Sequence, residues 1–264
     1  MQVWRGCSNF AAPNLTEKEI NMGKNRAIIV GASSGMGRRV AELLLEEGWL
    51  VGVAARREEP LRELETRFPG QVTVQTLDVC ATDCAQRLLE LIERMGGVDL
   101  YLHASGIGKQ NEPLDSSIEL STVSTNAWGF TCCVDTVFDW MASHGGGHLA
   151  VISSIAGTKG LGAAPAYSAT KAFQNTYIEA LEQLAGMRRL NIRFTDIRPG
   201  FVATPLLGDA PHYPLLMDCD TVARSIVSTL HARRHVRVID FRYRCLVLLW
   251  RCVPRWLWRR LVLR

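Results

Sequence analysis

The chain has 264 residues, 47% of them hydrophobic and 21% charged, with a formal net charge of +4. That composition excludes a disordered or fibrous chain, and the length suits one α/β domain rather than two. The charge is uneven: residues 241–264 hold Arg242, Arg244, Arg251, Arg255, Arg259, Arg260 and Arg264 with no acid, which leaves −3 for the rest.

In chain order, residues 1–21 are polar and irregular and read as an appendage, followed by a domain over 22–240 and a basic tail over 241–264. Apolar strands are predicted at Ala27–Val30, Trp49–Ala54, Val72–Thr76, Val98–His103, His148–Ser153, Asn191–Ile197 and Val236–Asp240. Amphipathic helices are predicted between them, at Met36–Glu47, Pro60–Phe68, Cys84–Met95, about Ser116–Ala142, about Ala166–Ala185 and Asp220–Arg233. Buried Val- and Ile-rich strands alternating with such helices imply a parallel seven-stranded sheet covered on both faces, a doubly wound Rossmann-type α/β domain.

Met1–Ile20 contain no continuous apolar stretch of the kind a secretory signal needs, and no run approaches the ~20 apolar residues of a spanning helix. The expectation is a cytosolic protein, or one attached to a membrane from the cytosolic side. The eight cysteines show no disulfide or zinc spacing, so free thiols and no metal are expected.

The first strand runs into Gly31-Ala32-Ser33-Ser34-Gly35-Met36-Gly37, where a helix opens. Glycines there let backbone N–H groups approach a pyrophosphate at a positive helix N-terminus. At the end of the second strand, where an acid would bind the ribose of NAD, the chain reads Ala54-Ala55-Arg56-Arg57. An arginine holds a 2′-phosphate in bidentate fashion, so NADP(H) is expected over NAD(H), with Ser33 and Arg38 adding contacts. The alternative is that Arg56 and Arg57 are simply solvated.

Ser154 follows the strand His148–Ser153, and Tyr167 and Lys171 sit four apart on the next helix, hence on one face. An ammonium beside a phenol lowers the phenol pKa from its ordinary ~10 and equips Tyr167 for proton transfer near neutrality. Ser154 can stabilise charge on the same substrate oxygen.

Together these residues resemble the short-chain dehydrogenase/reductase family over nearly all of residues 24–240. The matching pieces are the glycine turn, Asp78-Val79, Asn126 within Ser124–Gly129, Ser153–Gly157, Tyr167 to Lys171, and Pro199-Gly200-Phe201-Val202-Ala203-Thr204. The resemblance implies that Asp78 and Val79 contact the adenine and that Lys171 also bonds the nicotinamide ribose. It implies that Asn126 holds a water behind Lys171, and that Pro199, Gly200, Val202 and Thr204 receive the carboxamide. Gly31, Ser34, Gly35, Met36, Gly37, Ala104 and Gly106 complete the cofactor cradle. Dimers or tetramers built on the helices near 116–142 and 166–185 are implied as well. Where the family has Asn-Asn-Ala-Gly, this chain has His103-Ala104-Ser105-Gly106; a satisfied buried histidine is expected there.

Ala156–Pro165 and the apolar, proline-punctuated loop Pro205–Met217 are expected to set the substrate, a carbonyl or alcohol of medium-to-large apolar type, lipid- or steroid-like. In the tail, Leu246, Leu249, Trp250, Val253 and Leu257 recur at helical spacing opposite Arg251, Arg255 and Arg259, with Pro254 as a break. Such a helix either lies in an anionic membrane interface or packs on the domain or a sister subunit. Nucleic acid is not an expected partner, since no base-reading motif accompanies the charge. A reading of a different class, a non-catalytic NADP(H)-binding sensor or scaffold served by the tail, loses ground because Ser154, Tyr167 and Lys171 are all present.

Overall fold

The computed structural model describes residues 25–207 and 213–261. The expected appendage, residues 208–212 of the second substrate loop and Arg264 of the tail lie outside the described residues.

Seven strands, β1 (Arg26–Val30), β2 (Leu50–Ala55), β3 (Val72–Thr76), β4 (Leu100–His103), β5 (Gly147–Ile152), β6 (Ile192–Arg198) and β7 (Val236–Val238), form one sheet in the order β3-β2-β1-β4-β5-β6-β7. Every neighbouring pair is parallel, with Val30 opposite both Ala54 and His103. The strands read as unbroken apolar runs because both sheet faces are covered and alternate side chains enter opposite layers. Ala27 and Ile29 join one core with Val51, Val53, Leu102 and Ile197, whereas Ile28 and Val30 join the other with Tyr101, Leu149 and Phe194.

Helices α1 (Gly35–Glu46), α2 (Glu59–Arg67) and α7 (Cys219–His231) cover the first layer; α3 (Cys84–Arg94), α5 (Phe130–Ser143) and the long α6 (Pro165–Met187) cover the second. α1 buries Val40, Leu43 and Leu44, while its outer arginines pair with acids, Arg39 reaching Asp220 of α7 at 2.5 Å.

The single helix expected near 116–142 is divided. α4 (Ser116–Val123) passes through a π turn at Ser124–Gly129 before α5 begins. π turns inside α-helices concentrate at functional sites, and this one contains Asn126.

The tail opens with α8 (Phe241–Cys252), breaks at Pro254 as its ring requires, and restarts as the short α9 (Arg255–Trp258). Tyr243 and Val247 of α8 are buried in the first core layer, with Leu246 and Trp250 packed against it, while Leu249 points outward. The inward stripe is therefore Tyr243, Leu246, Val247 and Trp250. No helix among the described residues is long and apolar enough to cross a membrane.

Candidate active site

The carboxyl ends of β1, β4, β5 and β6 meet at one edge, and the expected site residues gather there. At β1 the turn Gly31–Ser34 carries the chain into α1. Gly31 has φ +96, and a Cβ on it would lie 2.5 Å from the Ser105 nitrogen. A Cβ on Gly37 would strike the Gly31 carbonyl and approach the Ala104 side chain. These positions admit only glycine, which keeps a backbone cradle open at the helix start, as a pyrophosphate requires. Ser34 caps the helix in extended conformation, Met36 packs on the core below it, and Gly35 lies beside Thr204, so the turn and the Pro199–Thr204 segment face each other. Val202 is held by a bridge to Met217, and the Pro199 carbonyl accepts from the Ile155 amide at 3.1 Å.

The arginines at the end of β2 and at the start of α1 have different partners. Arg57, not Arg56, donates to the Ser33 hydroxyl at 3.1 Å; Arg56 is exposed. Arg38 is committed to Glu63 at 2.8 Å and Glu42 at 3.4 Å, and the Glu63 contact above all raises its pKa. Its guanidinium is thus engaged by carboxylates. Asp78 is exposed at the next strand end, with one carboxylate oxygen accepting from the Cys80 amide, and Val79 is buried against Gly129 of the π turn.

Ser154 is buried directly after β5. Its hydroxyl accepts from the Ala156 amide at 3.0 Å and makes a long contact, 3.5 Å, to the Pro199 carbonyl. Tyr167 packs flat beside Gly108, where a Cβ would enter the phenol ring. Lys171 lies one turn further along α6, its Nζ 5.8 Å from the centre of that ring and within reach of Gly106. The ammonium donates to the Ile152 carbonyl at 3.1 Å and to Gln174 Oε1 at 2.9 Å.

The electrostatics correct one expectation. Tyr167 is not lowered: burial raises its phenol above the ordinary ~10, partly offset by contact with Ser154. Lys171 is the group pushed toward neutrality, to about 8, by burial and against the pull of Asp196. Desolvation disfavours both charged forms, and the lysine's hydrogen bonds point away from the phenol.

Asn126 is fully buried. Its side chain brackets Ile107, accepting from the amide at 2.8 Å and donating to the carbonyl at 2.7 Å, and also donates to Thr170 at 3.2 Å. Its own carbonyl accepts from Gln174 Nε2 at 2.8 Å. The groups that the resemblance has a water connect, Asn126 and Lys171, are here connected by the Gln174 side chain. Sequence reasoning missed Gln174, although a polar residue three after Lys171 on the same helix face was a signal.

His103 is half satisfied. Its Nδ1 pairs with the Tyr101 hydroxyl at 2.9 Å and its ring meets Phe130 edge-on, but Nε2 has no well-placed partner among the described residues. Burial, with the nearby Lys171 charge, lowers its pKa to about 3, so the ring is neutral.

Residues 25–213 match the model of the short chain dehydrogenase family. The chain belongs to that family and is an oxidoreductase. It is 36% identical over 192 residues to an uncharacterized oxidoreductase of Myxococcus xanthus, covering 70% of this chain and 75% of that one. A second uncharacterized oxidoreductase, from Mycobacterium tuberculosis, is 29% identical over 216 residues, with 78% and 85% covered. Among solved structures, a short chain dehydrogenase from Burkholderia cenocepacia in complex with NADP superposes with a TM-score of 0.78 at 19% identity, over 91% of this chain and 98% of that one.

Proposed function

We propose that this short chain dehydrogenase interconverts a carbonyl and a secondary alcohol with NADP(H) in preference to NAD(H), the substrate being a medium-to-large molecule with an apolar, lipid- or steroid-like body. The observation that carries the reading is the convergence of Ser154, Tyr167 and Lys171 beside the glycine cradle. When bound, the cofactor supplies or accepts a hydride at its nicotinamide ring. Tyr167 Oη gives a proton to the substrate oxygen in reduction and takes it back in oxidation. The Ser154 hydroxyl, only weakly held by Pro199, turns to the same oxygen and stabilises its charge. Lys171 is held with a cationic head beside the phenol and serves the ribose and the tyrosine together.

Preference for NADP(H) is supported by the missing acid at the end of β2 and by Arg57 on Ser33. Room for a large substrate is supported by a cavity of about 790 Å³ between the 158–163 loop, which follows Ser154 along the chain, and the tail, lined by Glu112, Lys159, Arg255, Arg259, Trp258 and Leu261. Exposed Leu120, Val123, Trp128 and Phe173 on and beside α4 and α6 support a homodimer or homotetramer built on those helices. The outward tail residues Leu249, Trp256 and Leu257 among arginines support docking on an anionic membrane.

The test of the cofactor reading is fluorescence titration with NADPH and NADH of the wild type, Arg56→Ala and Arg57→Ala. NADPH preference that falls about tenfold or more in Arg57→Ala is expected, since a charge-assisted contact is worth roughly 1.5–3 kcal/mol. Equal binding of the two nucleotides by the wild type would overturn the reading.

A further inference from the structure

We propose that Gln174 is a positioning residue of this active site, holding the Lys171 ammonium in place and locking it to the π turn through the Asn126 carbonyl. The inference rests on the catalytic reading of Lys171 given above and deepens it.

Gln174 lies three residues after Lys171 on α6 and is completely buried. A buried primary amide carries two donors and an acceptor, and leaving them unmatched is costly. Here both ends are matched. Oε1 takes a hydrogen from Lys171 Nζ at 2.9 Å and Nε2 gives one to the Asn126 carbonyl at 2.8 Å. The chemistry of the neighbours fixes the orientation of the amide: an ammonium only donates and a carbonyl only accepts.

The π turn presents that carbonyl. The Phe130 amide, which in a continuous α-helix would bond Asn126, turns to the Ala127 carbonyl instead. The Asn126 side chain is meanwhile spent on Ile107 and Thr170. One glutamine thus ties the catalytic helix to the turn that braces Ile107, close to the Gly108 against which Tyr167 rests.

The consequence for Lys171 is electrostatic. Two of the three ammonium hydrogens go to neutral fixed oxygens, those of Ile152 and Gln174, leaving one for ligand or phenol. Both oxygens favour the charged lysine against its burial. The titratable groups facing Lys171 are Tyr167 on its own helix, His103 at the end of β4 and Asp196 on β6. His103 is neutral, so Gln174 and Asp196 oppose the desolvation. The glutamine does not pass protons; it holds the charge and its position.

The test is titration of Lys171 by ¹³Cε-lysine NMR in protein free of added nucleotide, the resonance being assigned by its loss in Lys171→Met. Gln174→Leu removes both hydrogen bonds at similar volume, and Gln174→Glu keeps the shape while adding a negative charge. The leucine variant is expected to lower the lysine pKa by about one unit and the glutamate variant to raise it, each unit being tenfold in protonation. If Gln174→Leu fails to fold, Gln174→Glu and the shorter Gln174→Asn, which cannot span both partners, carry the same comparison. The alkaline limb of carbonyl reduction is expected to move in the same opposite directions, with nucleotide affinity changed less than threefold. Unmoved lysine titration in the glutamate variant, or shifts of one sign in every variant, overturns the proposal. If the titration shifts as expected but the wild type turns over no carbonyl, the contact stands and the catalytic reading falls.

Discussion

Burial keeps the Tyr167 phenol protonated through the neutral range, which suits it to the role of acid in the reduction proposed above. Replacing it with phenylalanine leaves the ring against Gly108 and removes only the hydroxyl. Tyr167→Phe is therefore expected to lose about 10²–10⁴-fold in kcat while keeping nucleotide affinity, the span usual for a general acid. Loss of less than tenfold would mean that another group supplies the proton. The pH dependence follows from Lys171. Its pKa of about 8 lies below the ordinary lysine value, so the ammonium predominates by about ten to one at pH 7 and is lost as pH rises through 8. The phenol remains protonated across the same interval. The kcat/KM for the nucleotide in carbonyl reduction, which reports the unliganded protein, should be level near neutrality and fall above about pH 8. Residual activity of Lys171→Arg, whose side chain does not titrate there, should lack that limb. A limb that survives in the arginine variant assigns it elsewhere.

At the scale of elements, the strands and helices were legible because each carries its own period: apolar runs for strands covered on both sides, one apolar stripe for each helix. Glycines spaced for a close turn, and a Ser, Tyr and Lys on consecutive elements, were legible for the same local reason. What was not legible depends on contacts between elements. The π turn inside the stretch read as one helix contacts Gln174 and Ile107, far along the chain or across a loop, through Asn126. The direction of the Tyr167 pKa depends on burial rather than on its spacing from Lys171. That Arg57 rather than Arg56 reaches Ser33 depends on how the end of β2 meets the glycine turn. Gly200 shows how such a contact binds tail to site. A Cβ there would enter the ring of Tyr243, 1% exposed on α8, whose hydroxyl accepts from the Phe201 amide at 3.1 Å and donates between the Pro214 and Leu215 carbonyls. Gly200→Ala is expected to destabilise by about 1–3 kcal/mol, the usual cost of overpacking. Thermal melts should show partial recovery when Tyr243→Leu is added, because the smaller side chain makes room. Additive losses in the double variant would show that the two do not compete for the same space.

At the scale of the whole molecule, the two faces of the tail have different partners. The inward face is settled by Tyr243 and Val247, and further along Lys159 Nζ donates to the Val253 carbonyl at 3.0 Å while Trp258 donates to the Gly160 carbonyl at 2.8 Å. Those last contacts seize the loop that follows Ser154, so the tail walls the cavity beside the 158–163 loop. The outward face carries exposed Phe241, Leu248, Leu249, Trp256 and Leu257 among the tail arginines, on a body of opposite charge. Insertion of the apolar residues beneath lipid headgroups, with arginines on phosphates, would set the tail and the adjoining 158–163 loop at the membrane surface. Each arginine near an anionic surface contributes about 1 kcal/mol, and salt screens it. Sedimentation with phosphatidylserine vesicles is therefore expected at low ionic strength, with little binding to phosphatidylcholine alone and release in concentrated salt. Leu249→Ala with Trp256→Ala should weaken that binding while leaving the melting temperature nearly unchanged, because neither side chain touches the core. Sedimentation with neither lipid would assign this face to a sister subunit or to water, whereas equal sedimentation with both would show that the arginines add nothing to the apolar insertion.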